Sequence, residues 1–99
     1  MNMLERDFQA KLIKKVEHMF PGGIVMKLDT SYKQGVPDLL ILHKNKWATL
    51  EVKKNELAHH QPNQDYYVGM MDDMSFSKFI YPANEEEVLL DLFRYFEEE

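Results

Sequence analysis

"GVPDLLILHKNKWATLEVKKN", Gly35–Asn55, is the stretch on which the fold turns. Two apolar runs, VPDLLILH and KWATLEVKK, are separated by Lys44 and Asn45 alone, the spacing of two strands joined by a tight hairpin. In the second run Trp47, Thr49, Glu51 and Lys53 alternate with Ala48, Leu50 and Val52. A strand there sends Glu51 and Lys53 to one face, about 6 to 7 Å apart along it. Leu39 to Leu42 is apolar at every position, which predicts a central strand covered on both sides. Asp38, Glu51 and Lys53 nevertheless place charge inside or against these runs, and charged side chains are rarely buried unless paired or bound to a metal. A turn centred between Lys44 and Asn45 sets Asp38 opposite Glu51, and two adjacent carboxylates repel unless a cation lies between them.

Upstream, Leu4, Phe8, Leu12, Ile13, Val16 and Phe20 recur at helical spacing, and the PGG at Pro21 to Gly23 stops that helix. Ile24 to Leu28 reads as a short strand, followed by a polar connection that ends in Gly35. Downstream, Pro62 suits a first helical turn, with Tyr66, Tyr67, Met70, Met71 and Met74 as a mostly apolar face that reads as core filler. SFSKFIYP is a fourth strand, and Asn84 is placed to cap a last helix with Val88, Leu89, Leu92, Phe93 and Phe96 as its buried stripe. The order is αβββαβα: an α/β (α+β) chain with a mixed four-stranded sheet flanked by helices, read as a single domain over residues 1–99.

The chain has 99 residues, 44% hydrophobic and 12% aromatic, enough for one small core. It has no cysteine, so disulfides and thiolate-bound zinc are excluded and any metal must be held by oxygen or imidazole. No apolar run approaches the roughly 18 residues of a membrane span, and MNMLERDF lacks the layout of a signal peptide, so a cytoplasmic location is expected. The net charge of -5 is concentrated at the carboxyl end, where Glu85, Glu86, Glu87, Asp91, Glu97, Glu98 and Glu99 stand against Arg94 alone. The remainder is close to neutral and slightly basic, a balance that neither supports nor excludes a nucleic-acid partner.

Magnesium takes an octahedral oxygen shell, commonly one or two carboxylates completed by water and a substrate phosphate, which Asp38 and Glu51 would suit. Lys53 adds a positive donor next to such an ion. It either orients and deprotonates an attacking water or stabilises charge developing on phosphorus, both ordinary parts of metal-assisted phosphodiester cleavage.

These residues resemble the PD-(D/E)XK nuclease superfamily: PD at Pro37–Asp38, EVK at Glu51 to Lys53 on the next strand, and a helical glutamate before them. Within it the chain is most similar to the small stand-alone VRR-NUC type of phages and bacteria, itself similar to Holliday-junction resolvases. The resemblance runs from the first helix through GVPDLLIL, TLEVKK and HHQPNQDYY to the final helix. It implies a restriction-endonuclease-like core with Asp38 and Glu51 as magnesium or manganese ligands, the backbone carbonyl of Val52 completing the shell and Glu5 reaching the metal through water. It also implies that Lys53 is catalytic and that Gln64 or Gln61 lines the site. The arginine of the VRR signature is missing; LDTSYKQG occupies that stretch and puts Lys27, Tyr32 and Lys33 forward for phosphate contacts, with Lys54 a further substrate contact.

The expectation is therefore a magnesium- or manganese-dependent endodeoxyribonuclease acting on branched or flap DNA. It is expected to work as a two-fold homodimer in a bacterial cytoplasm, to be phage or prophage encoded, and to have a replication or recombination protein as a possible partner. Two other readings stand beside it: a catalytically idle nucleic-acid-binding or partner-regulating module on the same fold, and, with too few acids to imitate a duplex, a DNA mimic. His59 and His60 are expected to be solvated, and the lysines of the first helix to form a solvated face.

Overall fold

The computed structural model describes residues 4–98, so Glu99 of the acidic end and the first three residues lie outside the described part. The elements run α1 (Glu5–Met19), β1 (Ile24–Lys27), β2 (Leu39–His43), β3 (Lys46–Val52), α2 (Pro62–Met74), β4 (Ser77–Ile80), a 3-10 turn (Pro82–Asn84) and α3 (Glu85–Glu97). This is the expected αβββαβα order, with one short turn added before the last helix. The sheet is mixed and its strand order is β1-β2-β3-β4. β1 with β2 and β2 with β3 are antiparallel, whereas β3 and β4 are parallel, since the chain crosses back through α2 between them. No helix among the described residues is long and apolar enough to cross a membrane.

The hairpin has the expected register, with Leu39 opposite Leu50 and His43 opposite Lys46. That register sends Leu39, Ile41, Ala48, Leu50 and Val52 to one face. There they pack, with Ile80, against Phe8, Leu12, Val16 and Phe20 at α1 and Val88, Leu89, Leu92 and Phe96 of α3. The opposite face carries Thr49 and Glu51 of β3, and Lys53 just past its end, beside Ser77 of β4, and α2 packs over these two strands. Thr49 donates its hydroxyl proton to Ser77 Oγ at 2.8 Å, so the polar pair beneath the helix is satisfied.

Four readings of the sequence need correction. β2 is covered on one face only: Leu42 is 36% exposed and Leu40 half-buried, while β3 is buried at every position from Ala48 to Val52. The reason is that α2 sits on β3 and β4, leaving the β1 and β2 end of that face open, with Ile24 and Met26 exposed as well. The α2 stripe is likewise not core: Tyr67, Met70 and Met71 are half-buried, Tyr66 and Met74 are exposed, and the one buried residue of α2, Val68, lies outside the stripe. A helix resting on Thr49, Glu51, Lys53 and Ser77 has no apolar face to match. Asn84 stands at the N-cap position of α3 without capping it; its amide accepts from Tyr81 N at 2.8 Å and donates to Phe79 O at 3.1 Å, tying off the end of β4 instead. Leu4, the N-cap of α1, and Phe93, inside α3, are also exposed rather than buried.

Candidate metal centre

Asp38 lies one residue before β2, immediately after the buried Pro37. Its carbonyl accepts from Leu28 N at 2.8 Å, and its carboxylate Oδ2 accepts from Val52 N at 2.9 Å. The residue is thus fixed from both neighbouring strands. Extended by one pair, the hairpin register sets Asp38 against Glu51. Glu51 is 2% exposed, and β3 alternation turns it to the α2 face together with Lys53, which is 6% exposed.

Gln64, in the first turn of α2, joins the two. Its Oε1 accepts from Lys53 Nζ at 2.7 Å and from Gln61 N at 2.9 Å, while its Nε2 donates to Glu51 Oε2 at 2.8 Å. Only this amide orientation matches an acceptor to the ammonium and a donor to the carboxylate. Lys53 Nζ also donates to the carbonyl of His59 at 3.0 Å and lies 3.7 Å from Glu51 Oε2, and its backbone N–H is held by Ile80 O. The ammonium is thereby fixed at the strand end.

One atom is left over: Glu51 Oε1 is buried and has no hydrogen-bond partner among the described residues. Burial pushes the Glu51 carboxyl up to about 8, with the charges of Asp38 and Glu5 pushing the same way and Lys53 opposing. Asp38 is raised too, again chiefly by burial and then by Glu5, against the Val52 N–H and Lys53. Two carboxylates that are both costly to ionise, one with an orphaned oxygen, form a donor set that a hard divalent cation satisfies. Among the described residues no group of three or more acidic or histidine side chains is gathered for a metal, so protein ligation of an ion would rest on this pair and on backbone oxygen.

The other residues singled out from the sequence are placed less tightly. Glu5 opens α1 and is exposed; it reaches the pair through its charge rather than as a third assembled ligand. Val52 gives its N–H to Asp38 and buries its side chain in the core. Gln61 is exposed at the head of α2, where its backbone N–H donates to Gln64 Oε1 and its carbonyl accepts from Gln64 N at 3.0 Å. Lys27, Tyr32, Lys33 and Lys54 are exposed around the same end of the sheet and make no hydrogen bond to Asp38, Glu51 or Lys53. His60 is half-buried rather than solvated, stacked on Phe79 with centroids 4.2 Å apart and Nδ1 2.9 Å from Asp65. What the sequence did not reveal is the backbone carbonyl of His59 as a Lys53 acceptor, and the double grip of Gln64 on Lys53 and Glu51. The HHQPNQ spacing marks the segment but not these bonds.

Compared with models of protein families, with curated proteins and with solved structures, the chain finds no match in any of the three.

Proposed function

We propose that the protein is a magnesium- or manganese-dependent endonuclease that hydrolyses DNA phosphodiester bonds at Asp38, Glu51 and Lys53, in the manner of the PD-(D/E)XK enzymes it resembles. The observation that carries this reading is the partnerless buried oxygen of Glu51 beside a second carboxylate raised by burial. Asp38 and Glu51 would hold the ion, with the Val52 carbonyl and, through water, Glu5 completing the set. When bound, the ion supplies Lewis acidity toward the phosphate and makes an attacking water more acidic.

The chain's own residues do the rest. Gln64 holds Glu51 and Lys53 at a fixed separation, so neither must reorganise when substrate arrives. Of the three donors on the Lys53 ammonium, two are engaged by Gln64 and His59 O, leaving one for a phosphate oxygen or the incoming water. Branched or flap DNA is the substrate class this reading favours, in a bacterial cytoplasm and on a phage or prophage gene. A body of 99 residues offers few side chains to grip a duplex, so the reading includes a two-fold homodimer, for which the exposed Ile24, Met26 and Leu42 are an apolar surface to cover. Light scattering checks the dimer.

The direct experiment is cleavage of labelled branched, flapped, single-stranded and duplex DNA with each metal. Asp38→Ala and Glu51→Ala should abolish cutting; variants as active as the parent protein rule the mechanism out. The idle-module reading draws on the absence of a third assembled ligand among the described residues and on the closed Lys53, Gln64 and Glu51 network. Calorimetric titration with magnesium separates the two, since an idle module has no need to bind the ion at Asp38.

A further inference from the structure

On the α2 side of the sheet lies a cavity of about 350 Å³ lined by Leu28, Asp29, Tyr32, Lys33, Val36 and Met71. We infer that this cavity is a subsite for an unpaired nucleobase of the strand being cut, stacked on Tyr32. The inference rests on the nuclease reading and gives it a substrate preference.

Two of the lining residues adjoin Asp38 along the backbone. Leu28 N donates to the carbonyl of Asp38 at 2.8 Å, and Val36 stands two residues before Asp38 in the chain. Tyr32 is 85% exposed, so its ring contributes almost nothing to the protein's own core. It is nonetheless held in place: Asp29 Oδ1 accepts from Ser31 N, from the Ser31 hydroxyl and, at 3.3 Å, from Tyr32 N, closing a local turn around the aromatic residue. The far end of the same loop is seated on α2, where Gly35 meets Asn63. The result is an exposed aromatic residue beside the apolar Leu28, Val36 and Met71, with Lys33 also lining the cavity as a cation for a phosphate.

That combination is how strands with free bases are held. An aromatic face stacks any base, apolar walls receive it, and a neighbouring cation takes the backbone charge. Paired bases present no free face to Tyr32, so the cavity would favour flaps, branch points and single strands over continuous duplex. A protein segment of another chain has no comparable need for a lysine beside an exposed aromatic ring, which is why a nucleobase is the occupant assigned.

The test uses the whole protein with single-stranded DNA carrying 2-aminopurine, in chelator so that nothing is cut, and a fully paired duplex as control. Stacking quenches the 2-aminopurine. Wild type should quench it, Tyr32→Ala should bind the strand about tenfold more weakly or worse and lose the quenching, and Tyr32→Trp should retain both. Duplex binding should change little. Equal affinity and quenching in Tyr32→Ala, no quenching by wild type, or a change of oligomeric state on Tyr32→Ala would each overturn the proposal, the last because it would mark the cavity as a self-contact. A flap-cleavage assay with magnesium run alongside keeps the two readings apart. Cleavage without Tyr32-dependent quenching removes the subsite alone, and quenching without any cleavage removes the nuclease and leaves the subsite.

Discussion

β3 has two faces built for opposite purposes. Toward α1 and α3 it presents Ala48, Leu50 and Val52, each fully buried among aliphatic and aromatic side chains. Toward α2 it presents Thr49 and Glu51, followed by Lys53 just past its end, which are almost as inaccessible and yet polar or charged. The first face stabilises through the area it removes from water; the second costs stability wherever a charge there goes unanswered. Alternation along one strand therefore sets the source of the stability and the candidate chemistry one residue apart.

The comparison breaks most visibly if one residue is changed on each face. Leu50→Ala removes apolar volume from a filled core and should cost about 2 to 5 kcal/mol of unfolding free energy, read in a denaturant titration as a lower midpoint. Glu51→Gln should act in the opposite direction in metal-free protein, because it removes a carboxylate that the fold resists ionising. Its folded-state value of about 8 lies above the ordinary carboxyl range, so the folded state binds the proton more tightly. The stability this gives is fully present below the unfolded value, near 4.5, and is lost as pH rises through about 8. Metal-free wild type should accordingly melt lower at pH 8.5 than at pH 5.5, added magnesium should restore most of the difference, and Glu51→Gln should flatten the profile and ignore the metal. A flat wild-type profile would place Glu51 in a far wetter setting than the structure gives it.

The two faces were not equally legible from the sequence. A two-residue connection between apolar runs leaves little freedom of register, and a strand's period of two then decides which side chains share a face; this is why Asp38, Glu51 and Lys53 were recognisable as a group. The helix that covers the polar face was far less legible. Tyr66, Tyr67, Met70, Met71 and Met74 look like a core stripe, but helical period says only that residues share a side, not that the side meets anything apolar. Where α2 lands is decided by the parallel crossover to β4, a long-range pairing with no local signature. For the same reason only the resemblance put Gln64 at the site, and nothing in the spacing showed that its place in the first turn over β3 makes it the link between Glu51 and Lys53.

A smaller perturbation tests that link without touching it. Gly35 has φ +96°, and a Cβ added there would lie 2.3 Å from Asn63 Cβ, with the Asn63 backbone also within 3 Å. Gly35→Ala must therefore distort the loop or push the first turn of α2 away from the sheet, taking Gln64 with it. We expect a loss of about 1 to 3 kcal/mol, the range of an overpacked site, and weaker magnesium binding than the stability loss alone explains. Metal affinity unchanged in folded Gly35→Ala would mean that Gln64 does not depend on this contact for its position.

The least effect is expected at the hairpin tip, far from either face of the argument. Lys44 has φ 58°, a positive value at the first central position of the two-residue turn, where glycine is usual and a side chain is strained. Its ammonium pairs with Glu97 at 2.9 Å, but both side chains are about half exposed, and such pairs contribute little. Lys44→Gly relieves the backbone strain, gives up the weak pair and makes the unfolded chain more flexible. Those terms nearly offset, and a net gain below about 1 kcal/mol is expected. Lys44→Ala keeps the strain while losing the pair, so it should be no more stable than wild type. If alanine and glycine proved equivalent there, the positive φ would not be the feature that decides the turn, and the hairpin register that sets Asp38 against Glu51 would be enforced by the strands alone.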